Sequence, residues 1–124
     1  MTTRVLITED EPNIVESLTF ILRREGYDVS SALDGETALL RLQRDPPDLV
    51  ILDVMLPKVN GFEVLKRIKA DPALRQLPVM VLTAKGQAHD RRTAEEIGAS
   101  AFITKPFSNR DIIEQVGRLT RRTA

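Results

Sequence analysis

The chain has 124 residues, 42% of them hydrophobic and 29% charged, which suits one globular domain with a real core rather than a disordered segment. Its 18 basic and 18 acidic side chains cancel, removing the electrostatic case for binding nucleic acid directly or lying on an acidic membrane. No cysteine, a lone histidine (His89), no apolar stretch near the ~20 residues of a membrane span and no signal-peptide pattern exclude disulfides, thiolate chemistry and Cys- or multi-His metal centres, and a cytoplasmic setting is expected.

Short β-branched runs alternate with longer periodic ones. Val5 to Thr8 is a continuous apolar run, as expected of a strand buried on both faces. Pro12 fits the first turn of a helix in which Ile14, Leu18, Ile21 and Leu22 recur at helical spacing, and Gly26 stops it. A second strand is expected around Asp28 to Ala32, then a helix from Gly35 to Gln43 with Ala38, Leu39 and Leu42 inward. Leu49 to Asp53 is the most hydrophobic run and reads as the central strand. Beyond the loop Met55 to Asn60, Phe62, Leu65 and Ile68 mark a third helix. Pro72 and Pro78 bracket the way into a strand from Val79 to Thr83. Ala88 to Ile97 reads as a helix of weak apolar periodicity, followed by a short strand from Ala101 to Thr104. Ser108 reads as the N-cap of a last helix striped by Ile112, Val116 and Leu119, with Asp111 completing a capping-box variant. Five β-then-α units in succession predict one α/β domain, a parallel sheet with helices on both faces.

Two of the strands end in acid: the first runs into Glu9-Asp10-Glu11, and the central one closes on Asp53. The last strand runs into Lys105-Pro106. In an open parallel sheet the carboxyl ends share one rim, outside which ligands bind. The first turn has no glycine with which to cradle a phosphate; it repels anions and attracts cations. A plainer alternative is that Asp10 or Glu11 merely caps the first helix. Asp53 resists that kind of explanation, because a buried charge must be paired or bound to metal. Two carboxylates about 4 Å apart repel by about 4 kcal/mol at an effective dielectric near 20, so several acids at one rim require positive charge among them. Lys105 supplies one charge, and oxygen-only ligation points to Mg²⁺ rather than zinc or copper.

Glu9-Asp10-Glu11, Asp53-Val54-Met55-Leu56-Pro57 with Asn60-Gly61, Leu82-Thr83-Ala84 and Thr104-Lys105-Pro106-Phe107 occur in the order found in bacterial two-component response-regulator receiver domains. The chain resembles that family, in its chemotaxis-regulator-like form, from about Arg4 to Leu119. The resemblance implies a flavodoxin-like doubly wound sheet of strand order 2-1-3-4-5 with five helices. It implies that Asp53 accepts a phosphoryl group from a phosphohistidine of a sensor histidine kinase or phosphotransfer protein. Glu9, Asp10, Asp53 and the backbone carbonyl of Met55 would hold Mg²⁺. Thr83 and Lys105 would contact phosphoryl oxygens, Thr83 and Phe102 would be the switch pair, and the Lys105–Pro106 bond would be cis. The expected role is a phosphoacceptor signalling domain acting on a downstream protein, not an enzyme beyond its own phosphorylation and dephosphorylation.

Physics supports those roles separately. Phosphoryl transfer passes through a loose transition state, so positioning and positive charge are most of what a protein contributes. Each residue also has a plainer alternative: Thr83 as a strand-end cap, Lys105 as a surface lysine, Phe102 as an ordinary aromatic, and His89 and Arg91-Arg92 as solvated residues. Ser100-Ala101 stands where many relatives carry an acidic pair used in dimer contacts, so a monomer or a weak phosphorylation-dependent dimer is expected. The chain stops at Thr120-Arg121-Arg122-Thr123-Ala124, so residues 1–124 are expected to be a single receiver domain without an output domain, either stand-alone or cut before one. A haloacid-dehalogenase-like phosphatase would want a second aspartate where Met55 stands. A flavin carrier is disfavoured by the acidic first turn, and a phosphate-independent interaction domain by the full set of acids, hydroxyl and lysine.

Overall fold

The computed structural model of the protein describes residues 2–84 and 88–120; residues 121–124, where the sequence reading placed the end of the chain, lie outside them. The chain alternates β1 (Arg4–Thr8), α1 (Pro12–Arg24), β2 (Asp28–Ala32), α2 (Gly35–Arg44), β3 (Leu49–Asp53), α3 (Gly61–Ala70), β4 (Val79–Ala84), α4 (Ala88–Ile97), β5 (Ala101–Lys105) and α5 (Asn109–Thr120). All four strand pairings are parallel and the order is β2-β1-β3-β4-β5, the doubly wound flavodoxin-like arrangement.

The strands part their side chains between two apolar clusters, as their two-residue repeat requires. On one face, Leu6, Val50, Leu52, Val79 and Val81 pack against α2, α3 and α4 through Ala38, Leu42, Val64, Leu65, Ile68 and Ala94. On the other, Val5, Ile7, Leu49, Ile51, Met80 and Leu82 meet α1 and α5 through Leu18, Leu22, Ile112 and Val116. β3 lies in the middle, buried at every position, as its unbroken apolar run predicts. The weak periodicity of α4 also has a cause: Ala94 is its one fully buried residue. His89 sits exposed on that helix.

Local signals fix the helix ends. Pro12 opens α1. The Asp34, Asn60 and Ser108 side chains accept hydrogen bonds from the N–H groups of Thr37, Glu63 and Asp111, at 2.7, 3.0 and 3.1 Å, capping α2, α3 and α5. Ser100 is used within the fold: its hydroxyl accepts from the Val79 N–H at 3.2 Å.

Candidate functional site

Sheet order reverses between β1 and β3, the place where the crevice of a doubly wound sheet opens. Register brings the acids to it. Thr8 pairs with Leu52, so the next residues, Glu9 and Asp53, leave the two strands side by side. The buried Thr8 hydroxyl donates to the Ile51 carbonyl at 2.7 Å and ties the two strand ends together. The Glu9 N–H donates to the Ala32 carbonyl at 3.1 Å, which extends the β1–β2 ladder one residue into the acidic turn. On the far side, Asp53 pairs with Leu82, placing Thr83 one residue beyond it, and Ala84 pairs with Lys105.

Side chains converge accordingly. Carboxylate oxygens of Glu9, Asp10 and Asp53 all lie within 4.8 Å of one another. Lys105 Nζ lies 2.9 Å from Glu9 Oε1 and 3.2 Å from Asp53 Oδ2. The Asp53 contact is a hydrogen bond, and the Glu9 contact is an ion pair to a buried oxygen that accepts no further hydrogen bond among the described residues. Met55 N–H donates to Asp53 Oδ1 at 3.2 Å. Glu9 Oε2 accepts from the Glu11 N–H at 3.2 Å. Glu11 occupies the N-cap of α1 without a side-chain capping bond, so capping does not explain this acidic turn.

Burial sets the electrostatics. Glu9 is only 1% exposed and Asp53 4%, whereas Asp10 opens to solvent. Loss of hydration pushes the Glu9 carboxyl up to about 7; Lys105 opposes that shift, the Asp53 carboxyl adds to it, and the Glu11 N–H opposes it. Burial also works against the Lys105 charge, but Glu9 and Asp53 outweigh it and hold the ammonium above its ordinary value. One ammonium therefore serves two buried carboxylates and a third at the surface. A buried carboxylate oxygen facing an ammonium that Asp53 also uses, inside a cluster of hard oxygen ligands, fits a divalent cation such as Mg²⁺.

Of the residues expected at the site, the structure gathers Glu9, Asp10, Asp53 and Lys105 into one cluster. Thr83 is buried at the end of β4. Phe102 is half-buried on β5, opposite Val81, while Thr83 lies opposite Thr104. The two-residue repeat puts Thr83 on the Val81 face, where Phe102 packs, so the two residues are diagonal neighbours on one face. The Lys105–Pro106 bond is cis. Two contacts had no signal in the sequence. Met55 contributes its N–H to Asp53, whereas the resemblance singled out its carbonyl. Arg91, read as part of a solvated pair, stacks its guanidinium 5.1 Å from the centre of the Phe102 ring. A contact between residues eleven apart in sequence, on a helix and the following strand, leaves no local pattern.

Residues 5–117 match the model of the response regulator receiver domain family. The chain is 42% identical over 123 residues to the alkaline phosphatase synthesis transcriptional regulatory protein PhoP of Bacillus subtilis, covering 99% of this chain and 50% of PhoP. It is 42% identical over 121 residues to the response regulator PleD of Caulobacter vibrioides, covering 98% of this chain and 27% of PleD. The chain thus spans half or less of these two relatives. Among solved structures, the signal receiver domain of a signal transduction histidine kinase from Syntrophus aciditrophicus superimposes with a TM-score of 0.91 at 35% identity, covering 99% of this chain and 96% of that one.

Proposed function

The chain belongs to the response regulator receiver domain family, a signalling domain of two-component systems, and we propose that Asp53 is its phosphoacceptor in a Mg²⁺-dependent transfer. The observation that carries this reading is the meeting of Glu9, Asp10, Asp53 and Lys105 at the β1–β3 rim. Glu9, Asp10, Asp53 and the Met55 carbonyl would hold the cation. When bound, Mg²⁺ supplies the positive charge that lets a phosphoryl group approach three acids.

Asp53 Oδ1 is oriented by the Met55 N–H and Oδ2 by Lys105, so the carboxylate is fixed before any donor arrives. In the reaction, one Asp53 oxygen forms a bond to phosphorus. The phosphorus–nitrogen bond of the donor's phosphohistidine breaks, and its electron pair returns to the imidazole. The product is an acyl phosphate carrying about −1.5 to −2 charges. Lys105 exchanges an Asp53 oxygen for a phosphoryl oxygen, and the Thr83 hydroxyl donates to another. Thr83 and Phe102, diagonal neighbours on one face, then form the switch pair. Beside Lys105 a groove lined by Glu11, Ile14, Ser17, Pro106 and Phe107 opens onto the cleft and offers the sensor histidine kinase or phosphotransfer protein a place to dock.

Residues 1–124 act in this reading as one receiver unit whose downstream partner is a protein recognising the face around Phe102. Met55, two residues after Asp53 and mostly exposed, offers no second carboxyl for turnover, which favours signalling over catalysis on substrates. No helix among the described residues is long and apolar enough to cross a membrane, in keeping with a cytoplasmic partner. The test is incubation with Mg²⁺ and acetyl phosphate, read by intact mass: one phosphoryl group is expected on the wild type and none on Asp53→Asn. Labelling that survives in the variant, or that is undiminished by a chelator, rejects the reading.

A further inference from the structure

The loop between β3 and α3, residues 54–60, sets the orientation of Asp53 through the Met55 N–H. Its position is fixed from outside by the start of α2. The Gly35 N–H donates to the Pro57 carbonyl at 3.2 Å, and the Val59 N–H folds back onto the same carbonyl at 2.8 Å. Gly35 is buried, and a Cβ built on it would sit 1.8 Å from the Val59 carbonyl oxygen and 2.8 Å from Val59 Cβ. No side chain fits there unless the loop moves. Between these two contacts Lys58 holds φ of 66°, a left-handed conformation uncommon outside glycine, with its ammonium 3.9 Å from the Asp34 carboxylate. α2 and this loop are therefore pressed backbone to backbone, and the loop has little freedom between residue 57 and the helix behind it.

We propose that Gly35 is a positioning residue for the phosphoacceptor: by admitting the loop against the α2 N-terminus, it fixes the Met55 N–H and hence the Asp53 carboxylate. The inference rests on the reading of Asp53 given above. Gly35 touches none of the reacting atoms. Its effect passes from Pro57 and Val59 along the loop backbone to Met55, a route that neither its sequence position nor its distance from the acids discloses.

The experiment follows Mg²⁺ binding to the whole chain by the chemical shifts of its folded-state amide resonances, which are resolved from those of any unfolded fraction. Gly35→Ala is expected to move the metal-free Met55 amide resonance and to weaken Mg²⁺ binding roughly tenfold, as removal of a ligand's supporting contact does. Val116→Ala, in the opposite layer, lowers stability without changing that affinity. Lys58→Gly relieves the left-handed residue and gives the loop slack. The double variant should bind more tightly than Gly35→Ala and more weakly than Lys58→Gly. Affinity in Gly35→Ala equal to wild type, or a loss matched by Val116→Ala, overturns the proposal. Should Gly35→Ala alone not fold, equal affinity of the double variant and Lys58→Gly overturns it. A wild type that shows no Mg²⁺-dependent shifts at Asp10 and Asp53 instead removes the reading of the site itself, and this proposal with it.

Discussion

At the scale of the residue, Glu9 is where burial and charge conflict most. Its carboxyl titrates near 4.5 when solvated and near 7 in the fold, so between those values the folded state holds more protons than the unfolded one. The Glu9 contribution to the stability of the metal-free protein is therefore full below the lower value, falls as pH rises through this window, and is lost above it. Chemical denaturation with a chelator present should show that slope, and Glu9→Gln should flatten it. Mg²⁺ binding should strengthen over the same window, because Glu9, in its proposed role as a ligand, must lose its proton. The sequence disclosed this residue only in part. Acids ending two strands mark a cation-seeking rim, but a linear chain does not say that Glu9 would be buried while Asp10 stays in solvent. That division depends on the β1–β2 ladder continuing past Thr8, which is set by the neighbouring strand.

At the scale of the element, legibility followed burial. β3 is apolar without a break because both its faces are covered, and its limits could be read directly. α4 has one fully buried residue, Ala94, and correspondingly little periodic signal. Its hold on the sheet includes the Arg91–Phe102 stacking, which joins separate elements and escapes any spacing rule. Cation–π contacts at exposed sites contribute about 0.5–1 kcal/mol. In the proposed switch the Phe102 ring turns inward as a phosphoryl group settles at Asp53, so Arg91→Gln should free the ring and tighten binding of the phosphoryl mimic beryllofluoride about threefold, measured by titration. Asn60 illustrates another gap: in the sequence it is the last residue of a loop, whereas in the fold its side chain caps α3. Asn60→Ala should lower stability by about 1 kcal/mol in thermal denaturation.

At the scale of the molecule, the acids sit on strand ends that the Thr8–Ile51 hydrogen bond and two apolar layers keep from spreading apart. Repulsion at the cleft is thus carried by the whole fold. Mg²⁺ at about 100 times its dissociation constant should add about 2.7 kcal/mol to stability, seen as a rise in melting temperature. Asp53→Asn should melt higher than wild type without the cation and gain less from it. The alternation of strands and helices was readable from periodicity, since each element keeps its own repeat. Strand order is different, because pairing between distant segments is not written in either segment alone; it came from the resemblance, and the hydrogen-bonded ladders bear it out.

The sheet also acts as a partition. Phe107, at the mouth of the groove beside Lys105, packs with the α1–α5 layer, whereas Phe102 packs with the α2–α3–α4 layer. A visitor seated along α1 leaves the opposite wall uncovered. In the proposed reading its arrival would be relayed from the end of one strand to the end of the next, so that delivery along α1 and readout around Phe102 would occupy two sides of the same molecule at once.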